Sequence, residues 1–529
     1  MYVKKVKLTN FKKFKNNEFC FNKGTNIVIG TNDSGKSTLL HAIDICLNQR
    51  GNGDWKNRNE YGTLLNIKAR ENFLKTKKLY SDLPKIRVEI EIGELENKIS
   101  SSIFNGYNNS SKKESEGVCF EYSFDDQYKS EYEELIRDDI DIEFIPFEFY
   151  TAKWKTFGGE TYSFRKNPFK SILIDTNRST GDSYKVFTKQ VFSTLSRNEQ
   201  NNMSIELKKK IDEFNKKMKE EFRIKHLLEI DPNRFVIEDN LDVIDADKDI
   251  LLRDMGSGTE NIIKTQLAMD VNSKLILLEE PENHLSFDLA RQQIEQIKSK
   301  DNSKQLIITT HSPLLASKLS ISNLKWLNNE GKFISFQDIP QDTAQFFQKA
   351  DNIDVLQVIL SEKVILVEGA TEYMIMEDMV KQVTGCSVNE KGIHVISMGG
   401  NYYKRFKDVV NKTKNRVLVI TDNDGSEKRI EEAARANSAY LHIAMPNNIQ
   451  EFTFETALFD ENKSYFSDSW EESDATTSWK EHENLDNKLV YLLKNKTKSA
   501  FKYSNSIASN ELKVPNYIED GIKWLIETK

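Results

Sequence analysis

Residues 24–40 read GTNIVIGTNDSGKSTLL, and the reading of this stretch decides the fold of the first half of the chain. Asn26–Ile29 is a short apolar run of the kind a buried strand uses. Gly30-Thr31-Asn32-Asp33-Ser34-Gly35-Lys36-Ser37 follows with the spacing G-x-x-x-x-G-K-[ST], and LLHAIDICL from Leu39 opens a helix. A glycine-rich turn between strand and helix turns backbone amides toward an anion, and the helix adds its positive end. Gly30, Asn32, Asp33, Ser34 and Gly35 are therefore expected to wrap phosphates, with Lys36 reaching the β- and γ-phosphates. Ser37 and Thr38 begin the helix, and the Ser37 hydroxyl is placed to ligate Mg²⁺. The ligand implied is ATP with Mg²⁺.

Further along, Leu275–Leu278 is apolar and ends in Glu279-Glu280-Pro281-Glu282. A carboxylate at a buried strand's end can hold Mg²⁺, here Glu279, and the next, Glu280, can polarise water against the γ-phosphate. About twenty-five residues earlier, Met255-Gly256-Ser257-Gly258-Thr259-Glu260 leads into a helix; Ser257 and Gly258 can grip a second phosphate group, although a plain glycine-rich turn reads the same way. After the next apolar run, 304–310, comes His311, a candidate sensor of the γ-phosphate; a lone histidine is otherwise usually structural.

From 363 the pattern changes to KVILVEG, IHVISMGG, RVLVITDNDG and LHIAMPN with helical stretches between them. Strand alternating with helix implies a second parallel sheet. Glu368 ends its first strand and Glu372 lies one helical turn on; Asp422 and Asp424 follow another strand. Acids at the ends of neighbouring parallel strands converge and repel unless a cation sits among them. Hard oxygen donors suit Mg²⁺, with Mn²⁺ as the alternative, and such a cluster suits phosphodiester hydrolysis.

The order phosphate loop, Gly-Ser-Gly, strand-Glu-Glu, strand-His resembles the ABC-type ATPases of the SMC and RecF kind, as does Leu8-Thr9-Asn10-Phe11-Lys12 at the start. That resemblance implies that Ser257 and Gly258 of one subunit complete the ATP site of another, and hence ATP-dependent dimerisation. The first carboxylate is Glu279 where the family commonly has Asp. The acids beyond 360 resemble the Toprim domain, and ATPase followed by Toprim is the architecture of the OLD (overcoming lysogenisation defect) nucleases. The resemblance implies Glu368, Glu372, Asp422 and Asp424 as catalytic and metal-binding residues. It adds Glu455 as a late acidic ligand and Lys498 as the late catalytic lysine, in a stretch that also holds Lys494, Lys496 and Lys502. It further implies DNA as substrate, a homodimer or higher oligomer, a role in defence against phage, and a helicase-like partner as in Gabija-type systems or a reverse transcriptase with its small nucleic acid as in some retrons.

The 529 residues carry a net charge of −7, 38% hydrophobic and 30% charged residues and four scattered cysteines. This balance suits a cytoplasmic α/β protein with sizeable cores; no apolar run is long enough for a bilayer. A basic surface for DNA must be local. The expected organisation is an ABC ATPase domain in two parts, 1–180 and 231–345, a helical dimerisation arm at 181–230, and a Toprim domain at 360–529. In the arm Leu207, Ile211, Phe214 and Met218 form an apolar stripe, which an ordinary amphipathic helix would also show. Residues 97–117 read as a surface loop and 461–486 as an exposed insertion. Two functions compete: an ATP-controlled, metal-dependent DNA endonuclease, and a DNA-clamping ATPase whose Toprim-like part only binds nucleic acid.

Overall fold

A computed structural model describes residues 1–49, 58–95, 102–137, 142–176, 182–221, 229–245, 249–299, 303–350, 355–400, 402–471 and 485–527. The chain forms two compact units, Met1–Leu315 with Asn323–Ser335, and Ala316–Ser322 with Phe336–Lys529.

The first unit contains two six-stranded sheets. One is antiparallel, in the order Phe14–Cys20, Tyr2–Phe11, Ile86–Gly93, Ser115–Phe124, with Asn105–Gly106 and Tyr150–Thr156 both paired to the last. The other runs Phe333–Ser335, Leu324–Leu327, Thr25–Ile29, Gln305–Thr309, Leu275–Glu279, Ile172–Asp175, and is parallel except at the first pair. The helix Lys36–Asn48 is buried around almost its whole circumference. Leu39, Leu40, Ile43, Cys46 and Leu47 share one core with Val88, Val118 and Phe120 of the antiparallel sheet and with Val28, Leu275, Leu277 and Ile307 of the parallel one. A helix that is apolar on all sides belongs inside a layered core, and LLHAIDICL is such a sequence. The register Glu279↔Thr309 and Thr309↔Val28 brings three strand ends level with the phosphate loop.

In the region expected as a helical arm, Asp182–Thr194 and Arg197–Glu221 are helices. Ile211 is buried and Leu207 and Met218 are partly so, but Phe214 is 50% exposed. Asn215 takes its place inward, because its side chain pairs with both backbone groups of Ile230, at 2.7 and 3.1 Å, so a polar residue is buried without losing hydrogen bonds.

The second unit has a four-stranded parallel sheet in the order Ile393–Ser397, Lys363–Val367, Arg416–Ile420, Leu441–Ala444. The helices Ala370–Thr384 and Lys496–Ala508 pack side by side. Asp378 accepts from Ser504, and Gln382 donates to the carbonyls of Ile507 and Leu512, both at 2.8 Å. Both sequence numbers therefore rise together, the helices run parallel, and their positive N-terminal ends lie at one end of the unit.

Three expectations need correction. Residues 336–345 were expected to close the first domain, but they fold with the second unit. Thr343 donates to Asp408 at 2.6 Å, and Asp342 pairs with Arg405. Residues 461–486 are not exposed throughout: Lys463–Ser469 is a helix, and Phe466 and Trp470 are core residues at 0% and 9% exposure; 472–484 lie outside the described residues. Within 97–117, Ser115 already begins a strand; 97–101 also lie outside the described residues.

Candidate functional sites

In the phosphate loop, Gly35 has φ +105, a conformation that favours glycine, and it starts the helix. Asn32, Asp33 and Ser37 are exposed at the mouth and Thr38 is half-buried. The Lys36 ammonium donates to the carbonyls of Gly30 at 3.1 Å and Thr31 at 3.2 Å. Burial lowers its pKa, against the raising influence of Glu280, Glu279, Glu282 and Asp33. Ser34 Oγ is buried with no hydrogen-bond partner. A lysine among acids, an unpaired hydroxyl and a helix N-terminus fit a nucleotide phosphate with its cation.

Glu279 is 4% exposed. Glu280 turns the chain away with φ +43, a conformation that costs a non-glycine residue energy. Its amide donates to Thr309 O at 3.0 Å and its carboxylate accepts from Asn283 at 2.8 Å. His311 Nε2 lies 3.4 Å from Glu280 Oε1. Burial first, and then the Lys36 charge, lower the His311 pKa, so the ring is neutral at pH 7. Lys36, Glu279, Glu280 and His311 are thus brought together. Ser257 and Gly258 are not: among the described residues no hydrogen bond joins them to the phosphate loop. They open the helix Ser257–Asp270 beside the turn after Glu280. A Cβ on Gly258 would lie 2.7 Å from His284 O, so the helix start sits hard against that turn.

The sequence reading passed over Glu282. One of its oxygens accepts from Thr310 Oγ1, from His311 N at 3.0 Å and from Ser312 N at 3.1 Å; the other is buried without a partner. Burial raises its pKa, opposed by hydrogen bonds from the Thr310 hydroxyl, its own backbone and the His311 amide, with the Glu280 charge adding to the rise. Its place two residues beyond Glu280, after a proline that forces the turn, was the available signal.

In the second unit, Glu368 and Asp422 follow the two central strands. Glu368 accepts from Thr421 Oγ1 at 2.5 Å and from Asp422 N at 3.3 Å. Glu372 is buried in the first turn of Ala370–Thr384 and accepts from Gly369 N at 3.1 Å. Asp422 accepts from Phe454 N, at the start of the helix Phe454–Glu461, at 2.9 Å. Glu455, the next residue, is 0% exposed and accepts from Lys496 at 2.8 Å, while its Oε1 has no partner. Burial, Glu372 and Glu455 push the Asp422 carboxyl up to about 8, with Lys496 opposing. Glu372 is also raised, by burial and then by Glu455. Burial alone would lower Lys496, but Glu455, Asp422 and Glu372 outweigh it and its pKa is raised. Three carboxylates and one ammonium form a single electrostatic unit.

Two residues expected here lie elsewhere. Asp424, with φ +49, is 57% exposed and pairs with Arg429. The buried Asn423 turns the loop by donating to Pro446 O at 2.9 Å and Asn448 O at 3.0 Å and accepting from Gly425 N at 2.8 Å. Lys498 is exposed and 3.7 Å from Glu471; Lys496 occupies the position expected of it. Helical spacing distinguishes the two lysines: Ser499, Ala500, Tyr503 and Ile507 are the buried face, and Lys496 extends that face whereas Lys498 does not. Among the described residues no three acidic, histidine or cysteine side chains stand together at metal-holding distances. The donor chemistry nevertheless fits a hard divalent cation: all the donors are carboxylates, burial and the neighbouring acids raise the Asp422 pKa, and Glu455 Oε1 is unpaired.

A phosphate loop with strand-end acids, joined to a parallel sheet carrying buried carboxylates, defines a nucleotide-binding ATPase coupled to a Toprim domain. Residues 1–316 match the family model described as AAA ATPase domain, and residues 359–424 match that described as Overcoming lysogenization defect protein-like, TOPRIM domain. The chain belongs to the OLD family of ATPase–Toprim proteins. Similar solved structures include an SMC head domain from Thermotoga maritima, with 13% identity, 62% of this chain and 94% of that chain covered and a TM-score of 0.27. They also include an SMC head bound to the C-terminal winged-helix domain of ScpA, with 12% identity, the same coverages and a TM-score of 0.31. No curated protein matches the chain. Domains of these two kinds use ATP and divalent metals and process nucleic acids, and no described helix is long and apolar enough to cross a membrane.

Proposed function

We propose that the protein is an ATP-binding, divalent-metal-dependent DNA endonuclease that acts in defence against phage as a dimer or higher oligomer, its nuclease gated by nucleotide state. The observation that carries this reading is the cluster of the buried Glu372 and Glu455 with the half-buried Asp422 and Lys496, where a central strand of a Toprim sheet and the starts of three helices meet. Structural acids are seldom packed this way, since each raises the cost of ionising the next. Mg²⁺ or Mn²⁺, held by Glu372, Asp422 and Glu455, would supply the positive charge that a phosphodiester under attack requires. Glu368 fixes the Asp422 backbone, and Lys496 is placed to face charge developing on the phosphate. In the first unit Lys36 and Ser37 would bind ATP·Mg²⁺ with Glu279, while Glu280 orients water and His311 contacts the γ-phosphate. Ser257 and Gly258, standing apart from their own phosphate loop, are suited to complete a partner's site.

The test is cleavage of plasmid DNA by the full chain with Mg²⁺ or Mn²⁺, with and without ATP, alongside Asp422→Ala. The variant should lose cleavage by at least about a hundredfold and bind ATP as the parent does. Undiminished cutting by Asp422→Ala removes the cluster from the chemistry. Binding of DNA without any cutting by the parent supports the clamping ATPase instead.

A further inference from the structure

We infer that Glu282 is a positioning residue for ATP hydrolysis, tying the loop that carries His311 to the turn that carries Glu280. This deepens the proposed ATPase reading and rests on it. Glu280 and His311 end different strands, Leu275–Glu279 and Gln305–Thr309, and strand pairing stops at Glu279↔Thr309. Beyond that point the backbone connection is Glu280 N to Thr309 O, which lies before the His311 loop begins. Across the loop itself, Glu282 gathers the Thr310 hydroxyl and the amides of His311 and Ser312 on a single oxygen. Two consecutive backbone amides captured by one buried acceptor fix the direction of the residue between them. That residue is His311, whose Nε2 stands 3.4 Å from Glu280.

The tie has a second end. Asn261, on the helix that Ser257 begins, donates to Asn283 O at 3.3 Å, and Gly258 abuts His284 O. The turn Glu280–Leu285 therefore touches the Gly-Ser-Gly helix on one side and holds the His311 loop through Glu282 on the other. Removing the carboxylate should misplace His311 and leave the phosphate loop intact, because Lys36 bonds to Gly30 and Thr31 and does not use Glu282 as a hydrogen-bond partner.

The experiment compares the full chain with Glu282→Ala and Glu282→Gln. Glutamine keeps an oxygen that accepts from the same donors. Amide hydrogen exchange without nucleotide should speed up by at least about tenfold at His311 in Glu282→Ala and stay near the parent in Glu282→Gln; the Ser312 amide also donates to Thr310 Oγ1 at 2.8 Å and is not used as the readout. ATPase kcat should fall by about a hundredfold in Glu282→Ala, as a misplacement on the order of 1 Å produces, with nucleotide binding not weakened and activity restored by glutamine. Unchanged exchange at the His311 amide overturns the tie. Faster exchange with undiminished kcat overturns its role in hydrolysis. If the parent binds ATP but does not hydrolyse it, the ATPase reading fails, and the exchange result still decides whether the tie exists.

Discussion

Lysine placement shows what one side chain can decide. Lys496 and Lys498 are two residues apart, and on a helix that separation sends them to different faces. Lys496, itself 39% exposed, neutralises a carboxylate that is 1% exposed, whereas Lys498 and Glu471 are both more than half exposed. Breaking a fully buried pair costs about 3–5 kcal/mol and a surface substitution about 0.5 kcal/mol or less, and a pair with one buried and one part-exposed partner lies between. Lys496→Ala is therefore expected to lower the melting temperature of the full chain by several degrees and to abolish cleavage; Lys498→Ala should leave both near the parent. Thermal melts and the plasmid assay check this. Both lysines are visible in the sequence, but motif spacing alone does not reveal which one faces inward. The buried face Ser499, Ala500, Tyr503, Ile507 does. Asp424 failed for a different reason: the buried amide of Asn423 bends the loop, and no pattern of acids announces that.

At the scale of elements, strands and helix starts bring the acids together. Glu368 and Asp422 come from adjacent strands, Glu372 and Glu455 from the first turns of two helices, and Lys496 from the start of a third. The strands were legible as apolar runs of about five residues, and so was the acid at each strand's end. Their convergence with Lys496 depended on helices Ala370–Thr384 and Lys496–Ala508 running parallel, a tertiary fact that local spacing does not contain. The convergence has a pH signature. Burial and the neighbouring acids push the Asp422 carboxyl up to about 8 in the folded chain, from about 3.9 when unfolded. Between those values the folded chain holds a proton that the unfolded chain has released, so this group's contribution to stability declines as pH rises from about 4 to about 8. Asp422→Asn removes the decline. In EDTA at pH 8 the variant should melt at least about 3 °C above the parent, and the difference should shrink toward pH 5. A difference of the opposite sign would show that the carboxylate is not strained by its neighbours.

At the scale of the whole molecule, the two units were expected from the change of pattern near 363, but their interleaving was not. The chain leaves the first unit after Leu315, returns for Asn323–Ser335 and leaves again. Leu324–Leu327 is the strand that pairs with Thr25–Ile29 on the side away from Gln305–Thr309. Nearly three hundred residues separate these partners in sequence. On a ribosome adding about 5–20 residues per second, the strand leading into the nucleotide loop waits roughly 15–60 s for its last neighbour to be made. Until then it presents an open edge of backbone donors and acceptors, which invites pairing with other chains. A chain ended at Leu315 keeps that edge permanently and should sediment as aggregate, whereas one ended at Ser335 should stay dispersed; centrifugation of the two translation products tells them apart. Birth order thus makes the nucleotide loop, among the first parts synthesised, one of the later parts to be sealed.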